Sequence, residues 1–250
     1  MAKVGEINYM RKLGERGRWH AINKPFSDPN CPSYFVELGA IFGLLPPPPL
    51  RVLDIGCGTG WTSRFFARRG YQVLGVDICP EMIEAARTVN EREELPNLEF
   101  QVCDYETMTH VAEFDIAVFY DALHHSVDEE AALRMAYQAL KPGGICITSE
   151  PGRGHASSAH SQHAMAEYNV TEKDMPPGRI IRAARRVGFR KSKTYPHAFD
   201  LSRLAYQGQG RVLNWIPRWL GPIRKLAVLL QMNLVCLLCR FRSGIVVLQK

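Results

Sequence analysis

RVLDIGCGTGWTSRFFARRGYQVLGVD, Arg51 to Asp77, is the stretch that decides the fold. It opens on a short apolar run, Val52-Leu53-Asp54-Ile55, with the length and branching of a buried parallel strand. Glycines at alternate positions follow, Gly56, Gly58 and Gly60. A helical pattern comes next, apolar at Trp61, Phe65 and Phe66 and polar at Arg64, Arg68 and Arg69, and it ends at Gly70. A second apolar run, Val73 to Val76, stops at the carboxylate of Asp77. Strand, glycine loop, helix, strand and acid in that order form the nucleotide-binding half of a doubly wound α/β sheet. Glycines let the backbone take positive φ and approach a ligand, at a helix N-terminus whose N–H groups are free. An acid at the tip of the next strand can accept both hydroxyls of a ribose.

A dinucleotide fingerprint needs G-x-G-x-x-G, whereas here Trp61 follows Thr59-Gly60 and the spacing is G-x-G-x-G. This tighter loop, with Asp54 two residues before it, resembles the first motif of class I S-adenosylmethionine-dependent methyltransferases, and further matches follow along the chain. Leu98 to Val102 reads as a third strand, ending in Cys103-Asp104. Phe114 to Phe119 reads as a fourth, delivering Tyr120-Asp121-Ala122-Leu123-His124-His125. Asp128 to Leu140 is an amphipathic helix, and LKPGGICITSE (Leu140 to Glu150) is similar to the family's last core motif, with Lys141 to Gly144 as a turn into a fifth strand. Four matches in order cover residues 52 to 150.

The resemblance implies a seven-stranded, doubly wound, Rossmann-like α/β sheet with strands 1–5 parallel and an antiparallel last strand. Residues 1–49 would be a helical cap (a helix over Cys31 to Leu45, then a Pro46 to Pro49 linker) and 50–250 the methyltransferase domain. Arg190 to His197 and Ser243 to Gln249 read as strands six and seven, which makes 200–243 an insertion between them. The implied cofactor is S-adenosylmethionine. Asp54, Gly56, Gly58 and Gly60 would hold its methionine part, Asp77 the ribose and Asp104 the adenine amino nitrogen. Cys57, Ile78, Tyr105 and Tyr120 would be cofactor-binding neighbours. Capping the following turn is the plainer use of Asp104.

His124 and His125 are the catalytic candidates. They follow the fourth strand, and ligands in an open α/β sheet bind at the carboxyl ends of strands. An oxygen nucleophile must lose its proton, and histidine titrates near neutral pH. The alternative is that one ring shapes the cofactor pocket through a backbone hydrogen bond. The Leu-His-His string resembles that of small-molecule methyltransferases of the sugar and quinone types, which points to a small or lipid-like acceptor. Trp19 of the cap and His155 and His160 of a Gly/Ser/Ala-rich lid are candidate acceptor contacts. His155, His160 and His163 lack the cysteines or the helical i, i+4 pair usual for zinc, so no metal is expected.

A net charge of +6 is a mild lean to anionic partners, without the basic and aromatic interleaving of a nucleic-acid binder. Seven scattered cysteines point to reduced thiols, and the polar start MAKVGEINYMRKLGERGRW is not a signal peptide, so a cytoplasmic protein is expected. Within the insertion, Leu226 to Cys239 is a 14-residue apolar run, short of a span. With Trp215, Trp219 and the basic residues Arg218, Arg224, Lys225, Arg240 and Arg242, residues 211–242 allow peripheral membrane contact. Core or lid packing is the default reading of the insertion, and membrane contact the second. An NAD(P)-dependent Rossmann oxidoreductase and a non-catalytic S-adenosylmethionine-binding subunit are the competing functions.

Overall fold

The computed structural model describes residues 2–206 and 220–250; Trp215, Arg218 and Trp219 of the insertion lie outside the described residues. Seven strands form a single sheet: β1 (Arg51–Ile55), β2 (Gln72–Asp77), β3 (Leu98–Val102), β4 (Phe114–Tyr120), β5 (Leu140–Glu150), β6 (Lys191–Tyr195) and β7 (Gly244–Gln249). Their order is β3-β2-β1-β4-β5-β7-β6. Strands β1 to β5 pair in parallel, while β7 lies antiparallel to both β5 and β6. The strand order reverses between β1 and β4, and a doubly wound sheet opens a crevice at that point.

Side chains alternate across the sheet and are buried on both faces. Leu53, Ala117, Phe119, Val246 and Leu248 pack against α7 (Glu129–Ala139) and α9 (Pro177–Val187) through Leu133, Ala136, Ile180 and Ala184. Val52, Val73, Ile116 and Val118 face the other way, onto α4 (Cys31–Leu44), α5 (Trp61–Arg68) and α6 (Pro80–Glu93) through Leu38, Ile41, Phe66, Ile83 and Ala86. Asp128 caps α7 by accepting from the N–H groups of Glu130 and Ala131, which satisfies two donors the first turn leaves open.

The Lys141 to Gly144 segment differs from its expectation. It is the bulged beginning of β5, which pairs Leu140 with Phe114 and shifts register before Ile145 meets Ile116. Gly143, at φ 79°, takes the left-handed conformation that the bulge needs. The residues foreseen as a lid also differ: Ala159–Tyr168 form a helix, α8, whose Ser158 hydroxyl accepts from the Ser161 N–H.

The N-terminal segment folds as α1 (Ala2–Ile7), α2 (Tyr9–Lys12) and α3 (Gly14–Ile22) ahead of α4. Between β6 and β7 lie α10 (Ala198–Tyr206) and α11 (Gly221–Leu238). Helix α11 is 18 residues long, not 14, and by length and composition it could cross a membrane. None of its residues is buried, and Leu226, Leu229, Leu230, Leu234 and Leu237 are exposed.

Candidate active site

A cleft of about 740 Å³ opens at the carboxyl ends of β1, β2 and β4, roofed by α1 to α3 and α8. The glycine loop forms one wall. Gly56 and Gly58 have φ of 71° and 54°, and a side chain on Gly56 would come within 2.6 Å of the Ala122 Cβ. The N–H groups of Gly56 and Cys57 donate to the Val76 carbonyl at 2.8 and 3.0 Å. Asp77 closes the loop, its Oδ2 accepting from the Gly58 N–H and its Oδ1 from the Cys79 N–H, both at 2.9 Å. Burial raises the Asp77 carboxyl above the usual range, and those N–H groups oppose the rise.

Of the positions read as cofactor contacts, Gly56, Cys57, Gly58, Asp77, Ile78, Tyr105 and Tyr120 line this cleft. Three others do not, each for a local reason. Asp54 is 1% exposed beneath the loop, where its Oδ2 accepts from the Thr62 and Ser63 hydroxyls at 2.6 Å and so braces the start of α5. Gly60, at φ 74°, turns the chain into α5, and an added Cβ would strike the Phe100 ring at 2.4 Å. Asp104 faces Lys3 of α1 at 2.6 Å and accepts from the Glu106 N–H, the turn-capping use of an aspartate.

On the acceptor side, Trp19 is a correction. It is 60% exposed, because α3 directs His20 and Ala21 into the cleft and the residue before them lies on the outer face. His155 and His160 do line the cleft, together with His163.

His124 and His125 form the floor, their ring centroids 3.9 Å apart. Glu150, at the end of β5, organises this floor. It is 1% exposed, and its Oε1 accepts from the N–H groups of Ala122 and Leu123 at 3.1 and 2.9 Å. Its Oε2 meets the His124 N–H at 3.2 Å and His124 Nδ1 at 2.8 Å. The His125 Nδ1 is 2.7 Å from the Thr171 carbonyl and can only donate to it. Glu172 lies beside His124 and His155, its Oε2 3.7 Å from His124 Nε2 and 2.5 Å from His155 Nε2.

Burial works against a charged His124, but the Glu150 hydrogen bond and the charges of Asp121, Glu150 and Glu172 outweigh it, raising that ring to about 9. Burial, then the His124 charge, pushes His125 down to about 4. Glu6, whose Oε1 accepts from the Thr171 N–H, is lifted by burial to about 7. Glu150, Glu172 and Glu6 were missed as site residues. Glu150 at least carried a signal, its position at the carboxyl end of a central strand, whereas Glu6 and Glu172 carried none.

A positive-φ glycine loop with no room for a side chain at Gly56, backed by a carboxylate at the tip of β2 in a cleft of this size, fits an adenosyl sulfonium ligand. Residues 53–148 match a family model described as a methyltransferase domain. Over that stretch the chain is similar to methyltransferase domains.

Within that class it is similar to ubiquinone biosynthesis O-methyltransferases. The Psychrobacter cryohalolentis protein is 36% identical over 110 residues, 43% of each chain. The Xanthomonas axonopodis pv. citri protein is 33% identical over 126 residues, 50% of this chain and 52% of that one. The chain thus spans about half the length of the curated relatives it matches. Among solved structures, Haemonchus contortus phosphoethanolamine N-methyltransferase 2 with S-adenosyl-L-methionine superposes with a TM-score of 0.65 at 18% identity, covering 98% of this chain and 59% of that one. An S-adenosylmethionine-dependent methyltransferase from Mesorhizobium loti gives 0.59 at 20% identity, over 86% and 98%. Both share the fold.

Proposed function

We propose that the chain transfers a methyl group from S-adenosylmethionine to an oxygen of a small or lipid-like acceptor. The observation that carries this reading is the histidine floor, which faces the same cleft as the glycine loop. S-adenosylmethionine supplies a methyl group already activated on sulfur, so the protein's task is alignment and removal of the acceptor's proton. The loop and Asp77 hold the donor in place. Asp121, Ala122 and the two rings bound the space left for the acceptor. Of the pair, His125 is better placed to take the proton, because its Nδ1–H is committed to Thr171 and its Nε2 keeps a lone pair. His124 is held between Glu150 and Glu172 and serves as a positioning residue. The similarity to ubiquinone biosynthesis O-methyltransferases supports an oxygen acceptor.

Calorimetry and turnover test this. Asp77→Ala should abolish S-adenosylmethionine binding, and an unchanged affinity would count against the cleft assignment. His125→Ala should lower kcat by about 10²–10⁴-fold, the usual share of a general base, while cofactor affinity holds. A non-catalytic subunit would instead bind the cofactor and methylate no quinol, phenol or sugar without a partner chain.

The same proposal includes a membrane-borne source for the acceptor. The exposed leucines of α11 are bordered by Lys225, Arg240 and Arg242, the arrangement of a helix lying in an anionic bilayer surface. A second cavity of about 200 Å³ shares Tyr34, Tyr120 and Asp121 with the main cleft and is walled by Phe199 and Arg203 of α10, which packs on α11. Co-sedimentation with phosphatidylglycerol vesicles should fall at least tenfold in Leu229→Ser/Leu230→Ser. Equal sedimentation of both proteins would remove the membrane from the proposal.

A further inference from the structure

We propose that His124, His125 and Glu172 form a divalent-metal site on the floor of the cleft, where the cation binds the acceptor oxygen. The inference rests on the methyltransferase reading of this cleft and names how its acceptor is activated. One potential ligand atom from each of the three residues lies within 4.8 Å of the other two. The group is enclosed, with His124 and Glu172 side chains 3% and 7% exposed and His125 30% exposed toward the cleft.

What separates this cluster from a chance meeting of polar groups is that each member is pinned by a partner of its own. His124 Nδ1 lies 2.8 Å from Glu150 Oε2, which fixes the ring and leaves Nε2, the nitrogen facing Glu172, as the ligand atom. His125 Nδ1 donates to the Thr171 carbonyl at 2.7 Å, so its lone pair is also on Nε2. Glu172 is held by His155 Nε2, which is itself 3.3 Å from the Ser161 hydroxyl. Carboxylate and carbonyl acceptors on the far nitrogen are the means by which proteins orient metal-ligating imidazoles and raise their basicity. The surrounding negative charge, from Asp121, Glu150 and Glu172, suits a cation.

Two imidazoles and a carboxylate are borderline donors that suit Zn²⁺, Fe²⁺, Co²⁺ or Mn²⁺. Three protein ligands leave a position open, as in catalytic metal sites. An acceptor hydroxyl in that position would lose its proton to solvent water near neutral pH, by the same charge effect that acidifies metal-bound water. The new O–CH₃ bond then forms as the S–CH₃ bond breaks, leaving the thioether, and the cation is unchanged. With the cation bound, His125 gives its Nε2 as a ligand, which replaces the base role it has in the metal-free cleft. The histidine triplet His155, His160 and His163 is not this site; of it, only His155 takes part, as the outer partner of Glu172.

The test uses the full chain, stripped with a chelator and titrated with Co²⁺. One equivalent should bind and give the intense visible absorption of four- or five-coordinate cobalt. Glu172→Gln should lose those bands while keeping its affinity for S-adenosylmethionine. Should that variant fail to fold, His155→Gln decides, with metal affinity expected to fall about 10–100-fold, as for outer partners at other sites. An unchanged cobalt spectrum in Glu172→Gln, or no binding by the parent chain, overturns the proposal. Methyl transfer surviving exhaustive chelation overturns it too, and returns the proton to His125 with the methyltransferase reading intact. Loss of S-adenosylmethionine binding by the parent chain would instead strike that underlying reading.

Discussion

Replacing Glu150 by glutamine tests whether one buried carboxylate holds the floor of the cleft. The carboxylate takes four donors, three backbone N–H groups and one imidazole nitrogen. Glutamine has the same shape, but one of its two ends is an NH₂ that cannot accept. In its best orientation the carbonyl keeps Ala122 and Leu123, the His124 ring gives up its Nδ1 proton to accept from the NH₂, and the His124 backbone N–H is left without a partner. An orphaned buried donor costs about 1–3 kcal/mol, and bonds to a charged acceptor exceed neutral ones by about 1 kcal/mol each. Sparing the burial of a charge offsets part of this, which leaves a net loss of about 3 kcal/mol. For a chain of this size each kcal/mol shifts Tm by about 2–4 °C, so Glu150→Gln should melt roughly 6–12 °C lower by calorimetry. Because Ala122 packs against Gly56, cofactor affinity should drop as well. A Tm within about 2 °C of the parent, at unchanged cofactor affinity, would refute the claim that this carboxylate carries the floor.

Gly60→Ala should lose roughly 2–4 kcal/mol in urea unfolding, from about 1–2 kcal/mol of left-handed backbone strain and the collision with Phe100, and a loss below about 1 kcal/mol would show that the loop relaxes freely. Burial pushes the Asp54 carboxyl up to about 6 from its ordinary 3.8, against the Ser63 and Thr62 hydroxyls. The folded state therefore holds that proton more tightly, and the stability it contributes is present below pH ~4 and lost as pH rises through 6, about 3 kcal/mol in all. Asp54→Asn should show a shallower fall in unfolding free energy over that window than the parent. Parallel curves for the two proteins would place the titration elsewhere. Lys3→Met removes the partner of Asp104 in a half-exposed pair and should change stability by under ~1 kcal/mol in a thermal scan.

The sequence by itself determined the glycine loop, the strands around it and the carboxylate of Asp77. Those features lie together between Arg51 and Asp77, and the chain's local chemistry sets them: positive φ at Gly56, Gly58 and Gly60, and an acid at a strand tip. It also ordered the core, since alternation along β1 and β4 gives each face of the sheet its helices. Local chemistry misled where a second element intervened. Asp104 is drawn off by Lys3, 101 residues away, and Trp19 is turned outward by the helix phase of its neighbours. Only the tertiary structure decided the composition of the floor. Glu150 meets His124 across 26 residues, and Thr171 is bonded to Glu6 across 165. Hydrogen bonds and charges act over a few ångströms, and no periodicity along a chain records which distant carboxylate will arrive within that range.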